Sequence, residues 1–317
     1  MKKFLFFICT VLAILSCGGD DSDLPCLSMS TCDLCYKQPF NPLTEFCSDS
    51  TVYSKCGSLD YDPNTYGCCD TTTFILSTQF CSDSITYYKC NGIEYNPSAY
   101  QYCSNDSVKT YDTISYGGQT YRTVVIGTQT WFAENLSKGD SACPSNQARN
   151  CAVYGRLYDW STAMALPLSC NSNFCSSQIQ SPHKGICPEG WHIPSNADWD
   201  KLYRYIDSTS ETLSPYSSPT AGKYLKAMSG WSDCGPSGSG SSYLCEGTYG
   251  FLALPGGWGV LGSDSSFRTA GENGYWWSIN EVSDKFAYYR TLSNLSEVAG
   301  WNYSDKYWLL SVRCLRN

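Results

Sequence analysis

The chain has 317 residues, 29 acidic against 21 basic, a formal net charge of −8, only two histidines and 20 cysteines. An acidic chain without a basic patch excludes a nucleic-acid partner, and two histidines leave little material for histidine catalysis or a zinc site. The charge is uneven. Residues 18–108 hold 12 acidic residues and three lysines, whereas residues 109–317 hold 17 acidic and 16 basic residues and all ten tryptophans. The first region is too poor in large apolar groups to fold on a core and must be stapled. The second, of about 209 residues, suits one packed domain.

Met1-Lys2-Lys3 followed by the apolar run Phe4–Leu15 has the layout of a secretory signal peptide, residues 1–16. The run is shorter than the roughly 20 residues a bilayer-spanning helix needs. Ile14-Leu15-Ser16-Cys17-Gly18 resembles the lipobox of bacterial lipoproteins, which implies that Cys17 is lipidated and becomes the mature N-terminus. Several acyl chains give a durable anchor. The expectation is an outer-membrane lipoprotein of the cell envelope, held to the membrane by its N-terminal lipid. Residues 17–31 read as an acidic tether, of a kind that in some Gram-negative groups accompanies display at the cell surface.

With Cys9 in the leader and Cys17 acylated, 18 cysteines remain, which in an exported chain reads as a disulfide framework. Residues 32–108 form a Cys-rich repeat stalk. Phe46-Cys47-Ser48-Asp49-Ser50 recurs 34 residues later as Phe80-Cys81-Ser82-Asp83-Ser84, and the same shift maps Lys55-Cys56 onto Lys89-Cys90 and Cys69 onto Cys103. Internal repeats mark small structural modules. Tyr88–Tyr95 is predicted to be a hairpin turning at Asn91-Gly92. The modules read as a rigid spacer.

Residues 109–317 read as α+β. Ser195 caps a predicted helix whose Trp199, Leu202, Tyr203 and Ile206 form one buried stripe. A second helix is predicted over Arg156–Leu166, with Leu157, Trp160 and Met164 inward. Tyr121–Ile126 and Trp308–Leu315 are predicted strands, and 229–240 and 255–262 are predicted loops.

Thr123–Leu136, Tyr154–Trp160, Gly185–Ser195, Gly250–Gly257, Tyr275–Ser278 and Ser311–Cys314 together resemble, in order and spacing, the Fibrobacter succinogenes major paralogous domain over about 205 residues. The resemblance implies a fold related to C-type lectin-like and formylglycine-generating-enzyme-like domains, with two main helices and short strands. It also implies a disulfide between Cys187, ahead of the capped helix, and Cys314, in the last strand. The remaining domain cysteines are then expected to pair locally, Cys143 with Cys151, Cys170 with Cys175, and Cys234 with Cys245.

No nucleophile–base arrangement stands out. His192 is expected to pack and His183 to be solvated. No catalytic residue, cofactor or metal site is assigned. Asp264, Glu272, Asn273 and Glu281 read as surface groups, and the Glu-Pro-Asn or Gln-Pro-Asp loop of calcium-dependent lectins is missing. The candidate ligand residues are aromatic: Trp258 in a Gly-rich loop, and Trp301 and Tyr303 in a polar one. Exposed rings stack on sugars or anchor protein partners. The expected function is therefore non-enzymatic binding of a polysaccharide or a surface protein. A structural envelope protein without a ligand and a formylglycine-generating-type enzyme are the competing classes.

Overall fold

The computed structural model describes residues 107–207, 217–232, 245–260 and 262–317, and within 33–104 only the short paired strands and residues 55–56. Cys17, the leader, the whole tether and Cys234 lie outside the described residues. Two compact units divide between Glu94 and Tyr95.

The described part of the first unit is made of antiparallel pairs. Asp33–Cys35 pairs with Gln38–Phe40, Glu45–Ser48 with Thr51–Ser54, and Tyr66–Cys69 with Thr72–Ile75. Gln79–Ser82, Ile85–Cys90 and Ile93–Tyr95 form a three-stranded sheet, and the expected turn residues Asn91-Gly92 lie outside the described residues. Strands this short bury little, and covalent closure such as Cys56–Cys68 supplies what a core would. The 34-residue shift carries Cys68 onto Tyr102. The cysteine staples its own module, while the tyrosine is buried in the core of the second unit with its ring 4.5 Å from Tyr111. The second unit therefore includes the hairpin 101–110, ahead of the charge step at Lys109.

The strands of the second unit are β1 (Gln101–Ser104), β2 (Ser107–Thr110), β3 (Asp112–Tyr116), β4 (Gln119–Ile126), β5 (Gln129–Phe132), β6 (Trp191–His192), β7 (Trp258–Val260), β8 (Ser263–Arg268), β9 (Asn273–Glu281), β10 (Phe286–Ser293), β11 (Gly300–Asp305), β12 (Trp308–Leu309) and β13 (Leu315–Arg316). Its helices are α1 (Ala148–Tyr154), α2 (Trp160–Ala163), α3 (Asn196–Ile206) and α4 (Ala221–Leu225). The larger sheets run β3-β4-β5-β13-β6, β8-β7-β12 and β9-β10-β11. The class is mixed and strand-rich.

The α3 start follows from sequence. Ser195 Oγ accepts from the Asp198 N–H at 3.2 Å and the Asp198 carboxylate accepts from the Ser195 N–H at 2.9 Å, a reciprocal capping box. Burial opposes ionisation of Asp198, but hydrogen bonds from His192 and Ser195 hold its carboxyl below the usual range. Trp199, Leu202 and Tyr203 are buried and Ile206 packs against them.

The second predicted helix is cut to Trp160–Ala163. The Asp159 carboxylate accepts from the Thr162 N–H, the Ser161 hydroxyl and Asn171 Nδ2, at 3.1, 2.7 and 2.7 Å, which holds Asp159 extended and stops the helix growing backwards. Leu157 and Tyr158 bridge to Ala142 and Leu310 instead. Leu157, Trp160 and Met164 are nonetheless all buried. The predicted strand 308–315 is broken into β12 and β13, and the predicted loop at 255–262 contains β7.

The core has two clusters, one around Trp131, Trp199, Phe251 and Trp276, the other around Tyr158, Trp160, Trp277 and Val312. Successive residues of a strand face opposite ways, so Trp276 and Trp277 of β9 each fill a different cluster. Between them lies a polar knot. The buried Arg313 guanidinium donates to the carbonyls of Phe132 (3.0 Å) and Phe251 (2.5 Å) and to Asn135 Oδ1 (2.7 Å). Asn135 Oδ1 also accepts from Trp276 Nε1 at 2.8 Å, and its Nδ2 donates to Tyr154 O and Leu254 O at 2.9 and 3.2 Å. Gly155 makes room for it: its φ is +75°, and a Cβ there would stand 2.8 Å from the Asn135 side chain.

Cys187 and Cys314 are bonded with Cα atoms 5.8 Å apart. A bridge spanning 127 positions constrains the unfolded chain by about 5 kcal/mol in the loop-entropy account. Cys143–Cys151 and Cys170–Cys175 close short loops, and Cys245 is buried and disulfide-bonded.

Candidate functional site

The motifs that carry the family resemblance meet in the Arg313–Asn135 knot. Asn135 and Phe132 come from the first, Tyr154 from the second, Phe251 and Leu254 from the fourth, Trp276 from the fifth and Arg313 from the last. Their polar side chains bond chiefly to one another and to nearby carbonyls.

Among the described residues Ser195, His192 and Asp198 come together, but not in the order a serine nucleophile needs. The Ser195 hydroxyl donates to the Asp198 carboxylate at 2.7 Å, not to an imidazole, and His192 Nε2 lies 3.6 Å from that same carboxylate. A serine nucleophile needs the base at its hydroxyl. His192 Nδ1 faces Asn317 Oδ1 at 2.8 Å. His183 is buried, not solvated. Its Nδ1 accepts from the Gln180 N–H at 3.2 Å, which puts the ring proton on Nε2, where it donates to Met164 O at 2.9 Å.

Glu281 is likewise not a surface group. Its carboxylate is enclosed with the Lys306 ammonium, side chains 2% and 0% exposed, and it also accepts from the Cys175 N–H at 3.0 Å. Lys306 Nζ donates in addition to Cys170 O, Asn173 O and Asp284 O at 3.1, 3.1 and 3.0 Å. This pair ties the Cys170–Cys175 loop to the β9–β10 turn. Among the described residues no group of three His, Cys, Asp or Glu side chains is placed to hold a metal, and no helix is long and apolar enough to cross a membrane.

The exposed chemistry lies on the β10–β11 edge. Tyr288 faces Tyr303 across the strands, and Phe286 and Trp301 flank them on the same side of the pleat. Ring centroids run Trp301–Tyr288 5.5 Å, Tyr288–Tyr303 6.4 Å and Tyr303–Phe286 5.9 Å. Tyr303 is 50% and Phe286 38% exposed, and the other two are half-buried. The fold thus brings Trp301 and Tyr303 together and adds Tyr288 and Phe286. Sequence reasoning missed these two, although aromatics at alternate positions of a strand were the available signal. Trp258 does not join them. It lies on β7, half-buried, with its indole stacked at 4.3 Å on Trp308.

The description of the Fibrobacter succinogenes major domain matches residues 124–316. The chain belongs to this family. No curated protein and no solved structure matches it. The family match covers β10 and β11, so the aromatic row lies within the shared domain, while the hairpin carrying Tyr102 lies ahead of it.

The turn between the two row-bearing strands is held from beneath. The buried Lys226 ammonium donates to Ser293 O and Ser296 O, both at 2.7 Å. Burial pulls its pKa from 10.5 to about 8, against the attraction of Glu297. The folded state therefore binds fewer protons than the unfolded chain between these values, and Lys226 makes stability rise with pH across about 8 to 10.5. Denaturation midpoints followed over that window should show this rise in the wild type relative to Lys226→Met. Parallel pH profiles for the two proteins would refute it.

Proposed function

We propose that this protein is a lipid-anchored envelope protein whose globular unit, C-type lectin-like in architecture, is a non-enzymatic binding domain for glycan, with the ligand lying along Trp301, Tyr288, Tyr303 and Phe286. One observation carries this reading: four aromatic rings stand in a row across the central strand β10 and the edge strand β11, partly open to solvent. Core packing does not call for that exposure, and a contiguous exposed apolar patch marks an interaction site. Sugar rings present apolar C–H faces that stack on aromatics, and adjacent ring spacings here are comparable with one sugar unit. The lectin-like assignment is supported by the Cys187–Cys314 bridge between the segment ahead of α3 and the final strand.

Trp301→Ala and Tyr303→Ala should each weaken binding to neutral oligosaccharides on a glycan array by about tenfold, the scale of one lost aromatic contact of roughly 1.4 kcal/mol. The thermal midpoint should hardly move, since neither ring is in the core clusters. Undiminished binding by both variants would remove the row from the account. For the anchor, Cys17→Ser should shift the protein from the membrane fraction to the soluble one, and continued membrane association would exclude lipidation at this residue.

A further inference from the structure

A cleft of about 430 Å³ opens between Ile179–Ser181, the start of α3 and the end of β9. It is lined by Gln180, Ser181, Asn196 and Asn280, with Ile179 and Ile279 as apolar walls, and no charged side chain lines it. The N–H groups at the helix start are already engaged: that of Asn196 donates to Asn280 Oδ1 at 2.8 Å, and that of Asp198 lies in the capping box. The cleft therefore offers nothing of the sort an anion seeks. What remains is amide, hydroxyl and aliphatic surface, the chemistry that matches a ligand with many neutral hydroxyls and an apolar ring face. A second observation points the same way. Asn196 Oδ1 is enclosed and has no hydrogen-bond donor. A buried acceptor left unpaired is costly, and a ligand hydroxyl would offset that cost.

The α3 wall of the cleft and the aromatic row share one side of the sheet. Arg290 of β10 pairs with Trp276 of β9 and with Trp301 of β11, so all three lie on one face. The Arg290 Nη2 donates to Asn196 O at 3.1 Å, which brings the start of α3 onto that face. Tyr288, two positions before Arg290, also lies there. Across from Tyr288, the β9 register shifts between Trp277 and Glu281, the stretch that contains Ile279 and Asn280.

We infer that the cleft and the row form one extended subsite series for an uncharged polysaccharide, with one sugar unit seated in the cleft and the following units stacked on Tyr288, Trp301 and Tyr303. This rests on the glycan-binding reading and narrows it to a neutral chain.

The test is calorimetric titration of the full chain with neutral gluco-, xylo- and manno-oligosaccharides, from monosaccharide to hexasaccharide, with oligouronates alongside. Gln180→Ala removes an exposed amide at the cleft, and Ala197→Phe fills the cleft from an exposed helix position. Each should weaken oligosaccharide binding by about tenfold, the scale of one or two lost hydrogen bonds, and Ala197→Phe should abolish competition by monosaccharide. Wild-type affinity in both cleft variants, with loss in Tyr303→Ala, would overturn the cleft and leave the row standing. Oligouronates binding as tightly as the neutral series would overturn the neutral class. Absence of binding to any oligosaccharide by the wild type would remove the glycan reading itself.

Discussion

The fold of the second unit depends on where one buried positive charge finds its acceptors. The Arg313 guanidinium is fully enclosed, and burial lowers its affinity for a proton. Arginine nevertheless stays charged in proteins, so its planar fork of donors needs acceptors. Its two terminal nitrogens are met by two backbone carbonyls and the Asn135 amide oxygen, with a further contact to Leu252 O at 3.4 Å and the Phe251 ring beneath, 4.4 Å from the guanidinium carbon, while Nε is enclosed without a partner. Asn135 then distributes the remaining bonds to Trp276, Tyr154 and Leu254. Segments nearly 180 residues apart in the chain are thereby fixed against one another at a single point. Cys314, the next residue, adds the covalent tie to Cys187.

This arrangement separates what the family motifs do from what the protein does. The motifs specify a scaffold, and most of their large side chains face inward. Binding surface has to come from positions that the scaffold holds rigid but does not consume. The β10–β11 edge meets that condition. Its two strands are pinned at one end by Lys306 and Glu281 and at the other by Lys226 beneath the connecting turn. Rings carried by strands keep a defined spacing that a free loop would not.

Much of the scaffold was legible in the sequence because it rests on local signals. The Ser195–Asp198 cap and the Trp199–Tyr203 stripe need only a few neighbouring residues to be recognised, and Trp131, Trp160, Trp191 and Trp199 are all buried. The failures are long-range. Nothing near Glu281 in the chain announces Lys306, nor anything near His183 its bond to Met164, so both looked solvated. The helix around Trp160 was overextended at its start because Asp159, capped onto Ser161 and Thr162, is also held by Asn171, twelve residues away. Of the candidate site, Trp301 and Tyr303 were visible as aromatics in a polar segment. Trp258 looked equivalent, and only the pairing of β7 with β12, which sets it against Trp308, shows that it is not. The repeat shows the same limit. One exchange, Cys68 for Tyr102 in the second copy, moves a hairpin from stapled stalk to domain core.

The central claim is that Arg313 organises the domain through the shape of its donors and not merely its charge. Thermal denaturation of Arg313→Lys under non-reducing conditions tests this most directly, with Arg204→Lys on the exposed face of α3 as control. A lysine keeps the charge but cannot span the three acceptors. The account predicts a loss of about 3 kcal/mol or more, roughly 6–12 °C for a domain of this size, while the control hardly moves. A midpoint for Arg313→Lys that coincides with the wild type would contradict it.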